Sequence, residues 1–155
     1  MKAISQILLV VLAWTSIGCG PAGQEPQEAP DELPRLDYEV FVDAVQPVLV
    51  DRCSNPSCHG NAQRPLSLYA PQAHRLRPED TFSDRPLSPE EKRANYDRAR
   101  SFAVDVGGGP LLLTKPLAED AGGVRHLQGE ALFFSVDERD YRAIEAWLSE
   151  PQEAP

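Results

Sequence analysis

Cys53-Ser54-Asn55-Pro56-Ser57-Cys58-His59-Gly60 is the stretch from which the rest of this chain is read. Two thiols flank four residues, and an imidazole follows the second thiol directly. Asn55-Pro56 between them is turn chemistry. Toward the N-terminus, Tyr38, Phe41, Val45 and Leu49 recur on one face of an amphipathic helix that delivers the chain to Asp51-Arg52-Cys53. Pro47 lies inside that pattern. Proline is tolerated in a first turn but not in a helix interior, so a kink or a restart is expected there. Toward the C-terminus, Pro65, Pro71 and Pro78 break residues 61–85 into irregular backbone. Leu66, Leu68 and Tyr69 are its core contributors, and His74 lies there among arginines and polar neighbours.

Further along, Ser88-Pro89-Glu90-Glu91 combines a serine cap, a proline at the first helical position and a glutamate at the third. The helix it starts should turn Tyr96, Ala99, Phe102 and Ala103 inward and end at Gly107-Gly108-Gly109-Pro110. Leu111 to Leu117 is a short apolar segment closed by Pro116. Gly122 to Gly129 reads as a flexible loop presenting one imidazole, His126, and Leu132-Phe133-Phe134 as a buried run. Asp137-Glu138-Arg139-Asp140 opens a last helix with Tyr141, Ile144, Trp147 and Leu148 as its apolar stripe and Pro151 as its stop. Glu138, Asp140 and Glu145 read as a solvated face with cap and dipole roles. No strand alternation of any length occurs, so the expected fold is mainly α, a small loop-rich domain over residues 33–150.

The ends carry different signals. Met1-Lys2, the apolar run Ile7 to Trp14 and the small residues Ser16 and Gly18 form a secretory signal, residues 1–18, too short to span a bilayer as a mature helix. Ser16-Ile17-Gly18-Cys19 resembles a bacterial lipoprotein signal, although serine stands where leucine is commonest. That resemblance implies lipidation of Cys19, whereas ordinary cleavage nearby would leave it a free thiol. Gly20 carries no acidic retention signal, which by the same resemblance implies the outer membrane rather than the inner. Residues 19–32 are a flexible tether rich in proline, glutamine and glutamate, and 151–155 a disordered tail that repeats its Pro-Gln-Glu-Ala-Pro. Cleavage before Cys19 removes Lys2 and no acid, taking the net charge from −9 to −10. Such acidity argues against nucleic acid and against adhesion to anionic lipid, and is compatible with a basic redox partner protein.

Export also places Cys53 and Cys58 in an oxidising compartment, where a disulfide between them is a plain alternative. That alternative leaves a disulfide-stapled lipoprotein domain with a structural or interaction role and no haem. A zinc site would need Cys53, Cys58, His59 and another histidine, and the adjacent Cys58-His59 pair makes poor tetrahedral spacing. The third chemistry is covalent haem. Two thiols bond the porphyrin edge, and a histidine after the second reaches the iron from the same side. The usual attachment motif has two residues between the cysteines, and this one has four.

At these residues the sequence resembles the c-type cytochrome domains of bacterial exported proteins, in the variant with four residues between the cysteines. The resemblance covers Phe41 to Leu49 leading into Cys53–His59, then Leu111 to Leu117, the His126 loop, and Tyr141 to Leu148. It implies a cytochrome c-like domain whose N- and C-terminal helices cross, with Phe41, Leu49, Tyr141, Ile144 and Trp147 beside the porphyrin. It implies one haem c per chain, anchored by Cys53 and Cys58, with His59 as the proximal iron ligand.

The second axial ligand is open among His126, His74, Lys115 and none. Met1 is the only methionine and leaves with the signal, so methionine is excluded for the mature chain. His126 is favoured by its glycine-bounded loop between apolar runs. Lys115 is disfavoured because an amine of pKa about 10.4 must lose a proton to bind iron. Bis-histidine ligation by His59 and His126 leaves no free iron face, which implies an electron carrier rather than an enzyme. The expected place is the periplasmic side of the envelope, with the membrane reached through the lipid anchor.

Overall fold

Pro47 does not interrupt the first helix in the computed structural model, which describes residues 33–105, 107–126 and 129–149. The helix, α1, runs over residues 38–53 as Tyr38–Val40, a π-helical Phe41–Val45, an α-helical Gln46–Val48 and a π-helical Leu49–Cys53. Pro47 stands in the first turn of the α-helical segment Gln46–Val48, where the helix changes from π to α without leaving helical backbone. A π turn widens the spiral by one residue, so the ladder can pass a residue that donates no N–H. Asp37 caps the start, its Oδ1 accepting from Val40 N–H at 2.8 Å. Of the expected stripe, Phe41, Val45 and Leu49 are buried and Tyr38 is half-buried, with Val48 and Cys53 buried beside them.

Helix α2, Pro89–Ser101, starts with a complete capping box between Ser88 and Glu91. It stops at Ser101, six residues before the glycine run that was expected to end it. Phe102 caps it with ψ near 0°, and its carbonyl accepts from Leu112 N–H at 2.9 Å. The glycines instead wrap a carboxylate: Asp105 Oδ1 accepts from the N–H groups of Gly107, Gly108 and Gly109 at 2.7, 3.1 and 2.9 Å.

Leu111–Thr114 forms a single turn, α3, and Arg139–Ser149 the last helix, α4. Between them Leu117 bridges Phe133, and Leu132 N–H donates to Pro116 O at 2.8 Å. Phe133 is fully buried, but Phe134 is 73% exposed, which corrects the expected three-residue buried run. Successive side chains of extended backbone point to opposite sides, so only one of the two phenylalanines can face the core. Among the described residues there is no β-strand, only isolated bridges, and the chain is mainly helical.

Helices α1 and α4 pack against each other through Phe41 and Trp147, whose rings lie 5.2 Å apart, with Tyr96 of α2 against both. The polar tips of this cluster are satisfied. Trp147 Nε1–H donates to Asp37 O at 2.8 Å, and Tyr96 O–H to Leu36 O.

The irregular stretch 61–85 is tied to α2 by a buried ion pair that the sequence reading did not anticipate. Arg75 grips Glu91 with two parallel bonds, Nε to Oε1 at 2.9 Å and a terminal nitrogen to Oε2 at 2.7 Å. The guanidinium also donates to Arg85 O and Pro86 O, and Glu91 also accepts from the N–H groups of Leu76 and Ser88. Burial works to raise the Glu91 pKa, but these donors and the Arg75 charge outweigh it and hold the carboxyl at about 2.

No helix among the described residues is long and apolar enough to cross a membrane. The signal over 1–18, Cys19, the tether over 19–32 and the tail over 151–155 lie outside the described residues.

Candidate functional site

The segment from Cys53 to Gly60 closes on itself. His59 N–H donates to Cys53 O at 3.1 Å, and the N–H groups of Cys58 and Gly60 both donate to Asn55 O, at 2.8 and 3.0 Å. Asn55 Oδ1 accepts from Ser57 N–H at 2.9 Å and from its hydroxyl at 2.7 Å. Gly60 is required by contact: a Cβ there would lie 1.8 Å from the Ser54 carbonyl oxygen. The two cysteines are not bonded to each other; Cys53 is buried and Cys58 exposed. Burial pushes the Cys53 thiol up to about 12, against the pull of Arg52.

His59 is fixed by its own side of the loop. Its Nδ1 lies 2.7 Å from Leu66 O, so the bond assigns the proton to Nδ1 and leaves Nε2 as the nitrogen with a free lone pair. Burial lowers its pKa, and the neighbouring His126 and Arg64 add to that, while the Leu66 bond opposes it. The lowered pKa favours the neutral ring, the form that binds a metal.

Beside it opens a cavity of about 330 Å3. Leu49 and Cys53 of α1 and Ile144 of α4 form part of the wall, with Pro65 and Leu66 from the irregular stretch. Phe102, Leu111, Leu112, Pro116, Leu132 and Phe133 complete an apolar lining. The polar groups are few: His59, His126, Arg64 and Lys115. An apolar pocket with a few convergent polar groups is the usual form of a cofactor site.

His126 shares this cavity with His59, and their ring centroids lie 6.0 Å apart with planes inclined by 22°. The two rings are thus near-parallel neighbours on one cavity. His126 is held on its loop by neighbours. Lys115 Nζ donates to Arg125 O at 2.9 Å, and Val124 N–H to Thr114 O at 2.9 Å. Lys115 thus lines the cavity with its ammonium engaged on the backbone beside His126. His74 lies elsewhere, its Nε2 3.0 Å from Ser67 Oγ and its ring 4.8 Å from that of Tyr69, and it is not among the lining residues.

Of the residues that the sequence nominated, Cys53, His59 and His126 meet on one cavity, and Cys58 stands outside its lining on the exposed turn. Leu49 and Ile144 are among its lining residues. Phe41 and Trp147 lie behind that wall against Tyr96, and Tyr141 packs edge-on to Phe133 at 5.7 Å. Two arginines were missed. Arg64 lines the cavity and donates to Ser57 O at 3.0 Å. Arg52 donates to Leu132 O at 2.8 Å and lies over the Phe133 ring at 5.6 Å, tying the end of α1 to the far wall. Arg52 had one available signal, its place beside Cys53, whereas nothing in a single sequence marks Arg64.

Among the described residues no three His, Cys, Asp or Glu side chains converge as a metal-binding group. A zinc ion held by protein alone needs about four such donors, whereas haem iron takes only its axial ligands from the protein. The cavity offers two imidazoles as axial donors of that kind and one of the two thiols, Cys53. Compared with known proteins, the chain matches no family model, no curated protein and no solved structure.

Proposed function

We propose that this chain is a monohaem c-type cytochrome that carries single electrons, with one haem attached through Cys53 and Cys58 and its iron held by His59 and His126. The observation that carries this reading is the pair of imidazoles 6.0 Å apart on an apolar cavity that Cys53 also lines. The mainly helical fold supports it, because the packed N- and C-terminal helices contribute Leu49 and Ile144 to the cavity wall.

Bound haem supplies a one-electron iron couple. The chain's own residues do the rest. Leu66 O fixes the His59 ring, the apolar walls exclude water, and Arg64 and Lys115 place positive charge on a lining that suits an apolar ring system bearing carboxylates. With His59 and His126 both holding the iron, the resting site would be suited to electron exchange. The acidic chain suits a basic redox partner, and a lipid on Cys19 would tether it on the periplasmic side of the envelope, at the outer membrane.

The test is made on the full chain produced in a host competent in haem attachment. Haem that stays with the polypeptide through a denaturing gel is the expected result. Complete loss of colour would overturn the reading. A Cys53–Cys58 disulfide found in that colourless chain by thiol alkylation would leave the stapled lipoprotein domain in its place.

A further inference from the structure

The two imidazoles are held very differently. His59 donates Nδ1–H to Leu66 O and sits on a loop closed by its own hydrogen bonds. His126 has its Nδ1 buried without a hydrogen-bond partner among the described residues. A ligating imidazole whose second nitrogen donates to a carbonyl or carboxylate is oriented and made more basic by that bond. One without such a partner is the weaker ligand of the pair.

From this asymmetry we infer that His126 is displaceable, and that the site takes up a small uncharged diatomic molecule in its place. The inference rests on the haem reading and goes beyond electron transfer to ligand binding. Two further observations support it. His126 also lines a second cavity, of about 630 Å3, whose walls include Glu119, Asp120 and Arg125. A ring that withdraws into that cavity would have the Glu119 and Asp120 carboxylates as possible partners for the nitrogen that has none now. The first cavity is apolar apart from its imidazoles and two cations engaged on backbone carbonyls, Arg64 on Ser57 and Lys115 on Arg125, so a small uncharged molecule enters it without burying a new charge. The exchange breaks one metal–nitrogen bond and forms one bond to the diatomic, with no electron or proton transferred.

The structure also provides a handle on the ring at Gly129, which lines the second cavity beside it. A Cβ at Gly129 would lie 2.8 Å from His126 Nδ1 and 3.2 Å from its Cε1. Gly129→Ala therefore forces the imidazole to shift from its present seat.

The experiment mixes the reduced, haem-loaded full chain with carbon monoxide and follows the absorption spectrum in time. The wild-type chain is expected to start low-spin and to bind carbon monoxide at a rate that levels off with concentration, because departure of His126 limits it. Gly129→Ala should raise that plateau by about tenfold, the scale on which outer contacts tune a metal ligand. His126→Ala should bind at a rate that rises linearly with carbon monoxide. A wild-type spectrum unchanged under saturating carbon monoxide overturns the inference and leaves the bis-histidine electron carrier standing. A His126→Ala chain that behaves as wild type overturns it as well. A chain that retains no haem on a denaturing gel removes the cytochrome reading, and this inference with it.

Discussion

His126 and His74 are each one imidazole on a loop, and what separates them is their neighbours. His74 leans on Tyr69 and meets the Ser67 hydroxyl, while His126 faces His59 across the cavity. In the haem-loaded chain, His126→Ala is expected to turn a low-spin absorption spectrum high-spin, and His74→Ala to leave it low-spin. A low-spin His126→Ala spectrum would contradict the assignment of the second ligand. Cys58 is the residue whose place answers least to expectation, since it is exposed beside Ser57 rather than on the cavity wall. The four-residue gap puts the two thiols on opposite ends of a turn wound around Asn55, and only Cys53 comes from the buried face of a helix.

Among the elements, the stretch 61–85 depends most on a single contact. It has no long helix or strand to hold it, only the short turn Pro78–Asp80, and Arg75 anchors it to the start of α2. Both partners of that pair are almost wholly buried, with 2% and 3% of their side chains exposed. Removing one member of a buried pair strands the other charge, so Arg75→Met should cost about 3–5 kcal/mol, read from urea unfolding. A loss below about 1 kcal/mol would mean that Glu91 keeps its solvation or its other donors without Arg75. Since Leu66 and Pro65 of the same stretch wall the cavity, this variant should also loosen the seat of His59.

At the scale of the whole molecule, stability should fall in acid, and the direction follows from the groups involved. Glu91 is held at about 2 against an ordinary value of 4.5, so its contribution is complete above pH 4.5 and is lost as pH falls toward 2. The shift corresponds to about 3 kcal/mol. His74, whose pKa burial lowers, adds a loss that begins as pH falls below its ordinary 6.5. Urea midpoints measured from pH 7 to pH 3 should therefore decline, and a flat profile would contradict the buried pair. Much of this architecture could be read beforehand. The capping box at Ser88, the stripe of Tyr141, Ile144 and Trp147, and the candidacy of His59 and His126 are local patterns in the chain. What could not be read depends on tertiary partners. Glu91 reads as a cap residue, and nothing nearby in sequence says that its remaining lone pairs meet Arg75. The passage of α1 through Pro47 and the outward turn of Phe134 likewise follow from packing rather than from periodicity.

The cavity lies on a seam. One side comes from residues 49–66 and the other largely from residues 102–144, and the His59 and His126 rings face each other across it. A group coordinated by both imidazoles would rivet the two halves together, closing a long stretch of chain into a loop. By the loop-closure reasoning used for disulfides, such a rivet restricts the unfolded chain by up to about 4 kcal/mol. The loaded chain should then unfold at higher urea than the empty one, and His126→Ala should surrender much of that gain while the covalent attachment at the other side stays intact.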